Sequence, residues 1–243
     1  MAQNIYDDPE FFAGYSRLPR SVGGLPSAPE WPRLQAMLPD VRGLRIVDLG
    51  CGFGWFCRWA RENGAADVLG IDLSENMLAR ARAATPDDAI TYQQHDLATV
   101  ALPKGRFDLA YSSLAIHYLE DVARLFAEVH AALIPGGHFV FSTEHPILMA
   151  SRRAEWLPHL DGAPTWPVDS YLAEGARTTE WFRPGVVKYH RTLATTLNAL
   201  IGAGFAIAHV EEYGPTLEQI AAQPEWAKER ERPMFLLVSA RRN

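Results

Sequence analysis

From about residue 44 onward, runs and spacings of apolar residues divide the chain into strand and helix segments. Apolar runs predict strands at 44–49, 67–72, 89–94, 107–112 and 137–143, with helices falling between them. The first helix follows at Trp55 to Glu62 and stops at Asn63-Gly64. The next has Ser74 as its N-cap and ends before Pro86. A later one starts near Asp121. Its Val122, Leu125, Phe126, Val129 and Leu133 make one apolar stripe, closed by Pro135-Gly136-Gly137. Strands alternating with helices imply an α/β fold with a mainly parallel sheet and right-handed crossovers.

The pattern differs at both ends. Before residue 43, Tyr6, Phe11, Phe12 and Tyr15 fall at near-helical spacing. A Pro-rich run follows, and Trp31, Leu34, Met37 and Leu38 then predict a short amphipathic helix. Residues 144–186 break the alternation and hold Trp156, Trp166, Tyr171, Trp181 and Phe182, which is too long and too aromatic for a plain loop. A helix is expected over about 189–203, a strand over Phe205 to Glu211, a charged helical segment over 215–232, and a last strand over Met234 to Ala240. With no parallel-type crossover between them, the last two strands predict an antiparallel end to the sheet. The expected division is a helical arm at 1–42 and a main domain at 43–243, with 144–188 as an insertion.

Composition narrows the function. The 243 residues are 48% hydrophobic, enough for a sizeable core. The net charge of −6 disfavours a nucleic-acid partner, which usually needs a basic face. The two cysteines, Cys51 and Cys57, suggest neither a disulfide framework nor a metal site. No apolar run approaches membrane-spanning length, and Met1 to Asn4 lacks the start of a signal peptide, so a cytoplasmic protein is expected.

The chemistry concentrates at Ile46-Val47-Asp48-Leu49-Gly50-Cys51-Gly52-Phe53-Gly54, a strand running into a glycine turn and then a helix. Such a turn presents free N–H groups to a polar ligand. The third glycine comes one residue early for a dinucleotide fingerprint, and Trp55 stands where that fingerprint needs a small residue. Both points argue against a nicotinamide oxidoreductase. A second strand ends at Asp72, placed to accept hydrogen bonds from a ribose.

Five motifs in order resemble those of the class I S-adenosylmethionine (SAM) methyltransferases, in the UbiE and type 11 small-molecule branch. They are Asp48-x-Gly50-x-Gly52-x-Gly54, Asp72, Gln94-His95-Asp96-Leu97, Phe107 to Ser113 with Leu114 to Tyr118, and Leu133-Ile134-Pro135-Gly136-Gly137. The resemblance implies a seven-stranded Rossmann-like sheet with helices on both faces. It implies SAM as cofactor, S-adenosylhomocysteine as product, and methyl transfer to O, N or C of a small organic acceptor. Asp48 would face the cofactor's ammonium. Gly50, Cys51, Gly52 and Gly54 would form the turn against it. Asp72 would take the ribose, Asp96 and Leu97 the adenine with Leu73 and Met77 around it, and the backbone near Ser112 and Ser113 the ammonium. The N-terminal arm would close as a lid, bringing Tyr15 and Arg20, the latter toward the cofactor carboxylate.

His145 and His190 are the candidates for a general base, needed only if the acceptor loses a proton. His117, Glu144, Trp181 and Tyr189 are expected around the acceptor, with the insertion as a cap. No metal, nucleic-acid or membrane partner is expected, and the chain would act as a monomer or homodimer. An RNA or protein methyltransferase, and a SAM-binding protein without turnover, stay open as alternatives.

Overall fold

The computed structural model describes residues 3–152, 154–158 and 164–243. The arm holds α1 (Pro9–Tyr15), α2 (Pro19–Gly23) and α3 (Trp31–Met37). The alternating region follows as β1 (Arg45–Leu49), α4 (Trp55–Glu62), β2 (Asp67–Asp72), α5 (Glu75–Ala83), β3 (Ile90–Gln94), β4 (Phe107–Ser113), α6 (Val122–Ala132) and β5 (Leu133–Glu144). The insertion contains α7 (Pro146–Ala150), the strand pair β6 (Leu157–Pro158) and β7 (Pro164–Thr165), and a hairpin of β8 (Gly175–Trp181) and β9 (Arg183–His190). The chain ends in α8 (Leu193–Gly202), β10 (Phe205–Tyr213), α9 (Leu217–Ala222) and β11 (Phe235–Arg242).

Seven strands form one sheet in the order β10-β11-β5-β4-β1-β2-β3. The five strands β1 to β5 run parallel, and β11 pairs antiparallel with both β5 and β10. This is the α/β, seven-stranded, mainly parallel arrangement expected from the sequence, including its antiparallel end. Alternate side chains of each strand serve opposite faces. Val47, Leu49, Phe139 and Phe141 pack against Leu125, Phe126 and Val129 of α6 and Leu200 of α8. Ile46, Leu109, Tyr111 and Val140 pack against α3, α4 and α5 through Trp31, Leu34, Phe56, Cys57 and Leu78. With both faces covered, the strand ends at the carboxyl edge are left to build a site.

Four segments depart from expectation. Residues 95–106 hold no helix. Asp96 turns the chain there by accepting from the Ala98 N–H at 2.8 Å, and Arg124 satisfies the carbonyls of Leu97 and Val100. Strand β5 starts at Leu133 rather than 137, because Pro135-Gly136-Gly137 is absorbed as an irregularity in its ladder with β4. The helix expected from 189 begins at Leu193, since residues 183–190 pair with β8 and bury Val186, Lys188 and His190 on one face. Within 215–232, Pro224 divides α9 from a 3-10 helix at Pro224–Arg230.

Candidate active site

The glycine turn lies at the carboxyl ends of β1 and β2. The N–H groups of Gly50 and Cys51 both donate to the Ile71 carbonyl, at 2.7 and 2.9 Å. Gly50 and Gly52 have φ of +79° and +52°, a region costly for other residues. A Cβ on Gly50 would clash with that of Ala115, whereas one on Gly52 would project into open space. That space belongs to a cavity of about 1210 Å³ lined by Gly50, Cys51, Gly52, Asp48, Asp72 and Asp96, among others.

Three carboxylates give this end of the cavity its character. Asp72 accepts the Gly52 N–H at 2.8 Å on one oxygen and the Ser74 N–H at 2.9 Å on the other. Each carboxylate oxygen keeps a further lone pair for a hydroxyl donor. Burial raises the Asp72 pKa against these bonds. Asp48 is 2% exposed and accepts only the weak Cys57 thiol donor, at 3.3 Å, among the described hydrogen bonds. Burial pushes its carboxyl up to about 7, the state of an acid that lacks a cation beside it. Leu73, Met77 and Leu97 add apolar wall around Asp72 and Asp96. Acceptor-only groups, a backbone cradle with open space and an apolar wall fit a cofactor with ribose hydroxyls, an adenine amine and an ammonium.

Ser113 lines the cavity, while Ser112 is fully buried and donates to the Leu49 carbonyl at 2.7 Å, locking β4 to β1. Leu114 sits at φ +52°, held by the carbonyl and hydroxyl of Ser142 at 3.0 and 3.2 Å. Cys51 also lines the cavity, and burial pushes its thiol far up, so it behaves as a small packed residue. From the arm, Tyr15 and Arg20 reach the same cavity. Arg20 is held by Glu30 at 2.9 Å, so one of its donors is committed within the protein.

The opposite end is lined by residues of the arm and the hairpin. Here His117, Glu144 and Trp181 line the cavity, joined by Tyr6, Tyr118 and Lys188, which sequence reasoning did not single out as site residues. Lys188 donates to Glu144 at 2.5 Å and lies 4.9 Å from the centre of the Trp181 ring. The only sequence signal for Lys188 was its alternation with Val186 and His190. His117 accepts the Glu144 backbone N–H on Nδ1 at 3.4 Å, and burial pushes its pKa down to about 4. Tyr6 and Tyr118 share a hydroxyl contact of 3.0 Å.

Five expected residues do not line this cavity: the buried Ser112, Gly54, which ends the turn at φ +70° as the N-cap of α4, and His145, His190 and Tyr189. His145 is 1% exposed, caps α7 by accepting from the Ile147 N–H, and pairs through Nε2 with Glu212 at 2.9 Å. Its position follows from Pro146, which starts a helix just where the residue's side chain can cap it. His190 is fully buried behind the hairpin and donates from Nε2 to the Tyr171 carbonyl at 2.8 Å. Neither histidine is therefore placed as a general base for a ligand in the cavity. Tyr189 points instead at a small separate void of about 20 Å³, because it lies on the other face of β9 from Lys188. Among the described residues, no group of three or more His, Cys, Asp or Glu is arranged to hold a metal ion.

A parallel sheet closed by one antiparallel strand, with acidic strand ends around a glycine turn, defines a nucleoside-binding α/β enzyme of the SAM-dependent kind. Residues 47–141 match the family model described as a methyltransferase domain. The crystal structure of a SAM-dependent methyltransferase from Mesorhizobium loti is 68% identical, covers 90% of this chain and 100% of its own, and superimposes with a TM-score of 0.87. An uncharacterized protein of Haemophilus influenzae is 34% identical over 98% of this chain and 97% of its own length. A malonyl-(acyl-carrier protein) O-methyltransferase of Enterobacter lignolyticus is 36% identical over 51% of this chain and 48% of that enzyme. The chain belongs to the SAM-dependent methyltransferases, and SAM is its cofactor.

Proposed function

We propose that this enzyme methylates a small organic acceptor held under the arm and the hairpin. The observation that carries this reading is the single cavity of about 1210 Å³ that runs from Asp72 and Asp96 to Glu144 and Lys188. Ligand pockets usually enclose about 300–1,000 Å³, so there is room for a cofactor and a second small molecule together. The acidic balance of −6 and a roof made of the chain's own arm and insertion favour a small acceptor over RNA. The name of the Enterobacter relative supports an acceptor of acyl size.

When bound, SAM supplies an activated methyl group. We assign the chain's own residues the following roles. Asp72 takes the ribose hydroxyls with its remaining lone pairs, and Asp96 and the Leu97 N–H meet the adenine edge between Leu73 and Met77. Asp48 and the carbonyls near Ser113 face the ammonium, and the free donors of Arg20 face the carboxylate. The arm at 1–42, with Tyr15, acts as the lid over 43–243, and the insertion at 144–188 caps the acceptor. Tyr6, Tyr15, Tyr118 and Trp181 exclude water from the path of an in-line displacement, which needs alignment more than proton transfer.

Calorimetric titration with SAM, S-adenosylhomocysteine and NAD, repeated on Asp72→Ala, tests the reading. Binding of the two sulfur compounds but not NAD, weakened at least roughly 100-fold in the variant, is expected, because two strengthened hydrogen bonds to a carboxylate are lost. Absence of binding by the folded wild-type protein would overturn it.

A further inference from the structure

At the acceptor end, charge is placed where burial is costly. Lys188 is 6% exposed, yet its ammonium lines the cavity instead of reaching solvent. One of its three donors meets Glu144 at 2.5 Å, and the ammonium also lies over the face of Trp181. No other charged partner of Lys188 is found among the described residues. A buried ion pair is poor value for stability compared with packed apolar side chains, so its place on a ligand cavity points to recognition.

The groups facing this pair do not include a free base. His117 has its Nδ1 filled by the Glu144 N–H, so Nε2 carries the proton and acts as a donor. Burial, helped by Lys188 and Arg191, keeps the ring neutral. Burial also raises the hydroxyl pKa values of Tyr6, Tyr15 and Tyr118. Burial would raise Glu144, but Lys188, by its charge and its hydrogen bond, and Arg232 overcome it and hold the carboxyl ionised. His145 and His190 lie outside the cavity, and Asp48 lies at the cofactor end, at the end of β1. Glu155 and Glu180 stand exposed at the rim.

We infer that the acceptor is a carboxylic acid, docked as its carboxylate on the free donors of Lys188 and methylated on a carboxylate oxygen. The inference rests on the methyltransferase reading given above and names its substrate class. An acceptor that is already ionised needs no base. The carboxylate oxygen's lone pair forms the O–C bond as the C–S bond breaks. The sulfur keeps that electron pair and becomes a neutral thioether. A negative and a positive charge cancel, the product is a methyl ester, and no proton moves. Aromatic walls favour such charge cancellation because they solvate the separated charges poorly. Glu144 holds the ammonium in place without quenching all its donors, and the His117 Nε2–H is a second donor at the same end.

The test uses the full chain loaded with S-adenosylhomocysteine and, as probes, benzoate, phenylacetate and 3-phenylpropionate beside their carboxamides and the matching amines. Binding is read by ligand-observed NMR and calorimetry. At least one acid should bind roughly tenfold more tightly than its amide, as expected for a charge-assisted contact. Glu144→Gln should keep or strengthen that preference, because it frees a donor of Lys188. The double variant Lys188→Met with Glu144→Gln removes both charges together and should abolish the preference while S-adenosylhomocysteine affinity and melting temperature hold. With labelled SAM, the tightest-binding acid should give label that alkali releases as methanol.

Amides or amines that bind as well as acids in the wild-type protein would overturn the inference. So would a preference that survives in the double variant, or a bound acid that yields no alkali-labile methyl. These outcomes with normal S-adenosylhomocysteine binding sink the substrate class alone, whereas failure to bind S-adenosylhomocysteine sinks the methyltransferase reading beneath it.

Discussion

Asp48 is a carboxyl sealed at the end of β1 with a thiol as its described hydrogen-bond partner. Burial raises its pKa to about 7, above the usual value of about 4 in an unfolded chain. The native state therefore holds this proton more tightly than the unfolded state. The stability it contributes is complete below about pH 4 and is lost as pH rises through about 7. Asp48→Asn keeps an acceptor for the Cys57 thiol and removes the ionisation. Its melting temperature relative to wild type, measured without cofactor, should rise between about pH 5 and about pH 8. With Asp48 proposed to face the cofactor's ammonium, the same variant should bind SAM more weakly at either pH. An unchanged difference across that range would mean that Asp48 ionises normally. Motif spacing alone marked Asp48, Asp72 and the glycines, because a backbone cradle demands particular residues at fixed offsets. His145 and His190 are candidates by imidazole chemistry and chain position rather than by motif spacing, and their rings are engaged by a helix cap, Glu212 and a backbone carbonyl. Sequence position near a strand end does not say which way a ring turns.

At the scale of elements, strands and helices with strict periodicity were legible, and β9 was not. Its Val186, Lys188 and His190 alternate inward, but a lysine and a histidine on the buried face hide the pattern that apolar residues would have shown. Over 95–106 the alternation of neighbouring strands predicts a helix, but Pro103 and the Asp96 turn forbid it. The start of α5 shows how one residue can serve two elements. Ser74 accepts the Met77 N–H at 3.1 Å as N-cap and donates to Asp7 of the arm at 2.5 Å. Asp7 also accepts the Asn76 N–H at 3.1 Å, and despite partial burial its pKa is lowered by these bonds. A negative group at a helix N-terminus is favourable in itself. Ser74→Ala should cost about 1 kcal/mol, a fall of roughly 2–4 °C in melting temperature for a chain of this size. Amide exchange over residues 3–15 should also quicken. A loss of stability with unchanged exchange in the arm would show that Ser74 caps α5 without holding the arm.

Across the whole molecule, the arm ties two distant parts of the sheet edge together. Its far end grips the hairpin: Gln3 donates to the Gly185 carbonyl and accepts the Val187 N–H, both at 2.9 Å, and Asp8 pairs with Arg183. Between these points Phe11 is fully buried, with ring centres 5.2 Å from Trp181 and 5.7 Å from Phe182. This small cluster is separate from the two large cores on the sheet faces. Aromatic spacing in the first fifteen residues announced a packed face, but its partner lies some 170 residues away, and no local pattern carries that pairing. On the proposed role of the arm as a lid and the hairpin as a cap, exchange of cofactor and product calls for one of them to lift. Because Phe11 joins them, they should lift as one unit. Phe11→Ala removes contacts typically worth about 3–5 kcal/mol in a full core, here confined to the roof. Hydrogen exchange should then quicken over residues 3–15 and 175–190 together, while β1, β4 and β5 keep their protection. Dissociation of S-adenosylhomocysteine, followed by stopped flow, should accelerate roughly tenfold or more, because less free energy now opposes opening. Faster exchange in the arm with a hairpin that stays protected would separate the two elements, leaving the arm alone as the gate.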